Sequence, residues 1–244
     1  KRRCSACQQS TFQSLKRELK LKIIKRNFLR RGGFAGLRET RLVMSPSIFA
    51  RRREAGTSTG IGRLVYLADA RFLPHGDTRM HEHHEIDVIS IMVEGRIKHE
   101  GTLEDGRELE VDDIQVQRAG GEGFSHNEIN PDDAKNRMIQ LWIIPENKGE
   151  PASYKMFKAA TGERIRVYGG PSDQDETISS RTVIDVTNIK AGESVSQPGR
   201  CLSYITCGAG KSDGEILREG DLVETRDFKF TAKADSKLIL AYEI

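Results

Sequence analysis

The residues with the most chemistry in this chain are its histidines. Five of the six lie between positions 75 and 99, and the sixth is His126. The run Met80-His81-Glu82-His83-His84-Glu85-Ile86-Asp87 contains a His-x-His pair, and Phe124-Ser125-His126-Asn127-Glu128 contains a His-x-Glu pair. In an extended strand residues i and i+2 share a face. His81 and His83 therefore project together, as do His126 and Glu128. If the two strands are neighbours, three imidazoles and one carboxylate converge. Neutral imidazole and carboxylate are ligands for divalent Fe, Mn, Ni, Co, Cu or Zn, and four protein ligands leave about two positions of an octahedral ion open. A one-residue register slip would turn His81 and His83 away and present Glu82 and His84 instead, so the unslipped register is expected. Asp87 has the parity of the ligands and is expected to stabilise a histidine N–H or to line the cavity. His75, His84 and His99 are expected at the surface.

These pairs need short strands to hold them, and the chain supplies them from about residue 62. The apolar runs Leu64–Leu67, Val88–Val93, Ile114–Gln117 and Met138–Ile144 are separated by turn-forming stretches such as Pro74-His75-Gly76-Asp77 and Asn130-Pro131-Asp132-Asp133. This is the pattern of an all-β sandwich or barrel, without the strand–helix alternation of a parallel sheet. A second β-rich unit contains Thr182–Val186, Cys201–Thr206, Asp221–Val223, Phe228–Thr231 and Leu238–Tyr242, and no histidine. The expected organisation is a basic tail at 1–19, a metal-binding barrel at 20–146, a polar connector at 147–180 and a second barrel at 181–244.

The chain of 244 residues is 36% hydrophobic and 31% charged, a soluble balance. No run approaches the roughly 18 apolar residues of a membrane span, and no secretory signal is read. Four cysteines are too few for a disulfide framework, which points to a reducing, cytoplasmic setting. Cys4 and Cys7 form a CxxC without a second pair at zinc-site spacing. The net charge of +3 conceals an asymmetry: residues 1–38 carry twelve Lys/Arg and one acid, and the remainder is acidic. A basic head on an acidic body could meet an anionic partner. Without aromatic interleaving, direct nucleic-acid binding is not expected.

Gly76-x4-His81-x-His83-x3-Asp87-x7-Gly95 and Gly123-x2-His126-x3-Asn130 resemble the two cupin motifs. His-x-Glu at His126/Glu128, together with Arg118-Ala119-Gly120-Gly121-Glu122-Gly123 and Ile139-Gln140-Leu141-Trp142, resembles the pirin family of the cupin superfamily over roughly residues 32–146. The resemblance implies two jelly-roll β-barrels in tandem, with one divalent transition metal, iron(II) foremost, in the N-terminal barrel only. It also implies either a quercetin 2,3-dioxygenase acting on a flavonol, with Glu128 as a general base, or a non-enzymatic iron and redox sensor acting through a protein partner. Met92, Phe124, Gln140 and Trp142 are candidates for the pocket wall. The departures are Glu82, where the family has proline, and Asn127, where serine is common; neither removes a ligand.

An ion held by the native chain alone adds about 2.7 kcal/mol of stability at a hundredfold excess over Kd. A chelator is expected to lower the melting temperature, and His81→Ala to abolish that sensitivity, in scanning calorimetry with and without chelator.

Overall fold

A computed structural model describes residues 21–244. The basic tail at 1–19, with Cys4 and Cys7, lies outside the described residues. The molecule is all-β, with two cupin-type barrels in tandem. The first combines a seven-stranded and a four-stranded sheet. The larger runs, in spatial order, Ser153–Lys158, Asp113–Arg118, Asp87–Glu94, Arg137–Ile143, Leu64–Phe72, Leu37–Met44 and Arg31–Gly32. The smaller runs His81–His83, Phe124–Ile129, Ile97–Gly101 and Glu108–Leu109. Every pairing among them is antiparallel.

Strand parity explains how the larger sheet serves two cores. On Asp87–Glu94, Val88 and Met92 pack in the interior of the first barrel, whereas Ile89 and Ile91 join a core shared with the second barrel. On Arg137–Ile143, Met138 packs inside, and Ile139, Leu141 and Ile143 face the shared core. Covering both faces favours nearly continuous apolar runs, which is why these strands stood out in the sequence as Val88–Val93 and Met138–Ile144. The second barrel's eight-stranded sheet includes Ser180–Ile189, Ser194–Cys207, Asp221–Ala232 and Ser236–Glu243. Its interior is filled by apolar side chains such as Val223, Phe228, Phe230 and Leu238.

Two features depart from the expected organisation. Residues 147–180 carry two strands: Ser153–Lys158 ends the first barrel's sheet against Asp113–Arg118, and Arg164–Gly170 begins the second's against Ser180–Ile189. Ser153–Lys158 is an edge strand without one fully buried residue, so its mixed polarity reads as a loop. The second departure is at the start of the described chain. Lys22–Lys25 pairs with Asp221–Ala232 of the second barrel, although it precedes the first barrel in sequence. No helix among the described residues is long and apolar enough to cross a membrane.

An ion network is buried between the barrels. Arg137, 1% exposed, donates from Nη2 to Asp69 Oδ2 at 2.6 Å and from Nη1 to the Thr206 carbonyl at 2.8 Å. Arg26 Nη1 and the Tyr204 hydroxyl donate to the same Asp69 oxygen at 2.6 and 2.5 Å. Burial alone would raise the Asp69 carboxyl; the Arg137 hydrogen bonds and charge, with Arg26 and Tyr204, outweigh it and hold the group below the usual range. Its stabilising contribution is therefore present above the ordinary carboxylate pKa and lost as pH falls through the depressed native value. Asp69→Ala would remove the buried partner of Arg137 and leave it the more exposed Glu219 at 3.0 Å; breaking a buried pair costs about 3–5 kcal/mol. Chemical denaturation at neutral pH is expected to show a loss of that size, and a loss below about 1 kcal/mol would show that this network does not hold the barrels together.

Candidate metal centre

The four-stranded sheet places the ligand candidates. Phe124–Ile129 lies between His81–His83 and Ile97–Gly101, with His126 opposite His81 on one side and Glu128 opposite His99 on the other. Close strand approach depends on two glycines. A Cβ on Gly123, which sits at φ +76, would overlap the His84 ring and the His83 carbonyl, and one on Gly101 would overlap the Ser125 carbonyl beside His126. The short strand His81–His83 is bracketed by Arg79 and Glu85, both left-handed at φ 60 and 51. For non-glycine residues such conformations cost about 1–3 kcal/mol each.

The three histidines converge. His126 Nε2 stands 3.0 Å from His81 Nε2 and 3.2 Å from His83 Nε2. Among the described residues, these three form the one group of His, Cys, Asp or Glu whose ligand atoms all lie within 4.8 Å of one another. Two nitrogens held at about 2.1 Å from one ion, at right angles, stand about 3.0 Å apart, so the spacing fits a shared ion. The protonation pattern fits too. His81 Nδ1 lies 2.9 Å from the Arg79 carbonyl, which can only accept, so Nδ1 carries the proton and Nε2 presents a lone pair.

The same logic runs through His99 to His126. His99 Nδ1 donates to the Glu104 carbonyl at 3.0 Å. Burial lowers the His99 pKa, so the ring is neutral and its Nε2 accepts. His126 Nδ1 lies 3.2 Å from that nitrogen and must donate to it, leaving His126 Nε2 bare. Gln117 Nε2 supports the assignment from 3.2 Å and is itself oriented by Gln115, whose amide donates to Gln117 Oε1 at 2.7 Å. Burial, followed by the charges of His81, His83 and His99, lowers the His126 pKa to about 2. Burial, then His81 and His84, lowers that of His83 to about 4. The His83 and His126 rings are thus neutral at physiological pH, the form that binds metal.

Glu128 lies apart from the trio's cluster. Its carboxylate accepts from Ser90 Oγ at 3.1 Å and from Gln140 Nε2 at 3.2 Å, and Trp142 Nε1 donates to Gln140 Oε1 at 3.2 Å. Burial drives its pKa up to about 7 against the opposing hydrogen bonds of Ser90 and Gln140. Glu128, Gln140 and Trp142 line a cavity of about 580 Å³ that also meets His81 and His83. Small-molecule sites span roughly 300–1,000 Å³. One wall is an aromatic stack running outward: the Trp142 and Tyr66 rings lie 4.3 Å apart at 28°, and Tyr66 and Phe49 5.8 Å apart at 27°. Tyr66 hydroxyl donates to Glu39 at 2.6 Å, and Arg41 pairs with Glu39 at 2.6 Å.

Several expected positions differ. His99 is fully buried and is not a surface residue. Its strand alternates, with Ile97 and His99 inward and Lys98 and Glu100 outward, so the same parity that paired His81 with His83 would have found it. Asp87 does not touch the histidines. It accepts from the Tyr168 hydroxyl at 2.6 Å and from Arg118 Nε at 3.4 Å. The chain leaves its strand after His83, and Glu85 turns left-handed before the next strand begins at Asp87, so parity does not carry across. Met92 is packed in the barrel core rather than at the cavity. Phe124 packs against His83 and His126 at ring distances of 5.2 and 5.1 Å. Glu82 and His84 stand at the cavity rim, and His75 is exposed and paired with Asp133 at 2.7 Å. Ser90, Tyr66, Glu39 and Arg41 carried no signal as single residues.

Two barrels of this kind, with an imidazole trio inside the first, define a bicupin. The family model described as Pirin matches residues 55–143. Among curated relatives, a Pseudomonas aeruginosa protein provisionally named a quercetin 2,3-dioxygenase is 29% identical over 193 residues, 73% of this chain and 82% of its own length. A pirin-like protein of Caulobacter vibrioides is 28% identical over 192 residues, again 73% and 82%. Among solved structures, the Escherichia coli pirin YhhW in complex with nickel(II) superposes with a TM-score of 0.77 at 18% identity, covering 91% of this chain and 97% of its own. A quercetin 2,3-dioxygenase from Acinetobacter baumannii gives 0.69 at 17% identity, covering 91% and 85%.

Glu128 generates a pH signature in the metal-free protein. A carboxyl raised from 4.5 to about 7 contributes stability that is complete below its unfolded pKa and lost as pH rises through about 7. The lowered histidines act oppositely, their contribution being present above 6.5 and lost on acidification. Glu128→Gln is expected to stabilise the metal-free chain at pH 8 by up to roughly 3 kcal/mol, with the gain vanishing by pH 4. Melting curves across that range check it.

Proposed function

We propose that this chain is a metal-dependent dioxygenase of flat, hydroxylated aromatic substrates of the quercetin type. The observation that carries the reading is the convergence of three imidazole nitrogens beside a cavity that His81 and His83 line and the Trp142–Tyr66–Phe49 stack walls. The names of the relatives support the same substrate class. In this reading His81, His83 and His126, completed by Glu128, hold one divalent transition ion, iron(II) or nickel(II), and the nickel(II) complex of the Escherichia coli pirin supports such an occupant. A bound ion would supply Lewis acidity and a template for substrate and dioxygen.

The remaining work falls to the chain's own groups. Stacking on Trp142 and Tyr66 orients the substrate rings in the cavity. Glu128, whose carboxylate lines the cavity, is placed to accept the proton of a substrate hydroxyl. Ser90 and Gln140 hold that carboxylate in place, and Trp142 fixes the Gln140 amide, so one wall residue both contacts substrate and orients the base. Ile86 and Met138 contribute apolar lining. The alternative of a sensor acting through a protein partner is not favoured by the comparisons.

Aerobic incubation of metal-loaded protein with quercetin is expected to bleach the flavonol band with consumption of dioxygen. His126→Ala is expected to lose both metal and turnover. Glu128→Gln is expected to lower turnover by about 10²–10⁴-fold, the usual contribution of a positioned base. No oxygen-dependent bleaching with iron, nickel, manganese, cobalt, copper or zinc would refute the assignment.

A further inference from the structure

The basic head of the sequence, read to residue 38, contributes to a second cavity. A cleft of about 410 Å³ is lined by Arg26, Arg31, Arg38, Arg71 and Lys135, with Asp69 and Glu39 as its acids. Both acids are already engaged: Asp69 by Arg137, Arg26 and Tyr204, and Glu39 by Arg41 and Tyr66. Among the described residues, Arg31, Arg38 and Lys135 have no carboxylate partner, and Arg71 pairs with Glu94 at 3.1 Å. Positive charge is therefore in surplus in a concave space, where low-dielectric walls focus its field.

Strand register makes this arrangement costly without a ligand. Arg38 is the direct cross-strand partner of Arg71, and Thr40 of Asp69. All four line the cleft. Like charges directly opposite on one face of an antiparallel pair repel. The alternate residues of the same two strands, Leu37 and Arg41 on one and Tyr66 and Ala70 on the other, line the metal cavity instead. The hairpin is thus two-sided, and the cleft backs directly onto the wall of the candidate metal centre.

We propose that this cleft binds a small phosphate-bearing anion. Several guanidinium forks around one concavity match the multiple acceptor oxygens of a phosphate better than the single carboxylate of an amino acid, and the volume suits a metabolite-sized ligand. The site is separate from the candidate metal centre and does not depend on its occupancy.

The test is calorimetric titration of the full chain with inorganic pyrophosphate at fixed ionic strength, after chelator treatment. Parallel arms use phosphatidylserine vesicles and a short DNA duplex. The expected result is saturable binding of one pyrophosphate per chain. It should be retained in His81→Ala and weakened at least roughly tenfold in the Arg31→Gln/Arg38→Gln double variant. Those two side chains are exposed and have no acid partner among the described residues, so the double variant is expected to melt as the native chain does without anion. Three results would each overturn the proposal: no heat beyond a chloride control, equal affinity in the double variant, or binding to vesicles or DNA with none to pyrophosphate.

Discussion

Three imidazole rings crowd together with nitrogens 3.0–3.2 Å apart, and burial makes protonating His83 or His126 costly. A single positive charge there would meet both desolvation and its neighbours' dipoles. Much of the first barrel serves that constraint. Phe124 packs against two of the rings and Trp142 against His83, keeping water from them. Carbonyl groups of Arg79 and Glu104 set which nitrogen of His81 and His99 bears hydrogen. The glycines at 101 and 123 let the flanking strands approach closely enough for the rings to meet. The candidate metal centre is thus built from closely packed imidazoles, and the carboxyl of Glu128 nearby is drawn up to about 7 by burial.

The grouping of His81, His83 and His126 was legible because the candidate ligands come in i, i+2 pairs; Glu128 lies outside that cluster. His81/His83 and His126/Glu128 need only strand parity and adjacency, and both conditions hold. His99 obeys the same rule, but it stands alone between Lys98 and Glu100, and an isolated histidine between charges reads as surface. Asp87 shows the converse error. Parity was carried through Glu85, whose left-handed backbone interrupts the strand. Glu39 and Arg41 form an i, i+2 ion pair on one strand, but nothing in that spacing says that the pair meets Tyr66 of the neighbouring strand at the cavity wall.

The fold was legible for a related reason. Strands buried on both faces show as unbroken apolar runs, and these fell where the sequence reading placed them. Edge strands do not. Ser153–Lys158 pairs on one side only and keeps no residue fully buried, so it resembled a linker. The long strand Asp221–Ala232 was read as two pieces, 221–223 and 228–231, because its exposed stretch near Arg226 and Asp227 interrupts the apolar pattern while Ser194–Cys207 still pairs along it.

The pairing of Lys22–Lys25 with Asp221–Ala232 has a consequence for how the chain is made. Lys22 meets Glu224 across 202 positions, one of the longest closures the molecule contains. During synthesis that strand has no partner until the stretch Asp221–Ala232 has left the ribosome. The first barrel can gather its own sheets in the meantime, but Arg26, carried just after the strand, cannot settle against both Asp69 and Glu219 until the second barrel is present. Contacts of such high order are slow to form. The strand Lys22–Lys25 therefore stays unpaired until the second barrel supplies Asp221–Ala232, and until then it presents a basic edge to its surroundings.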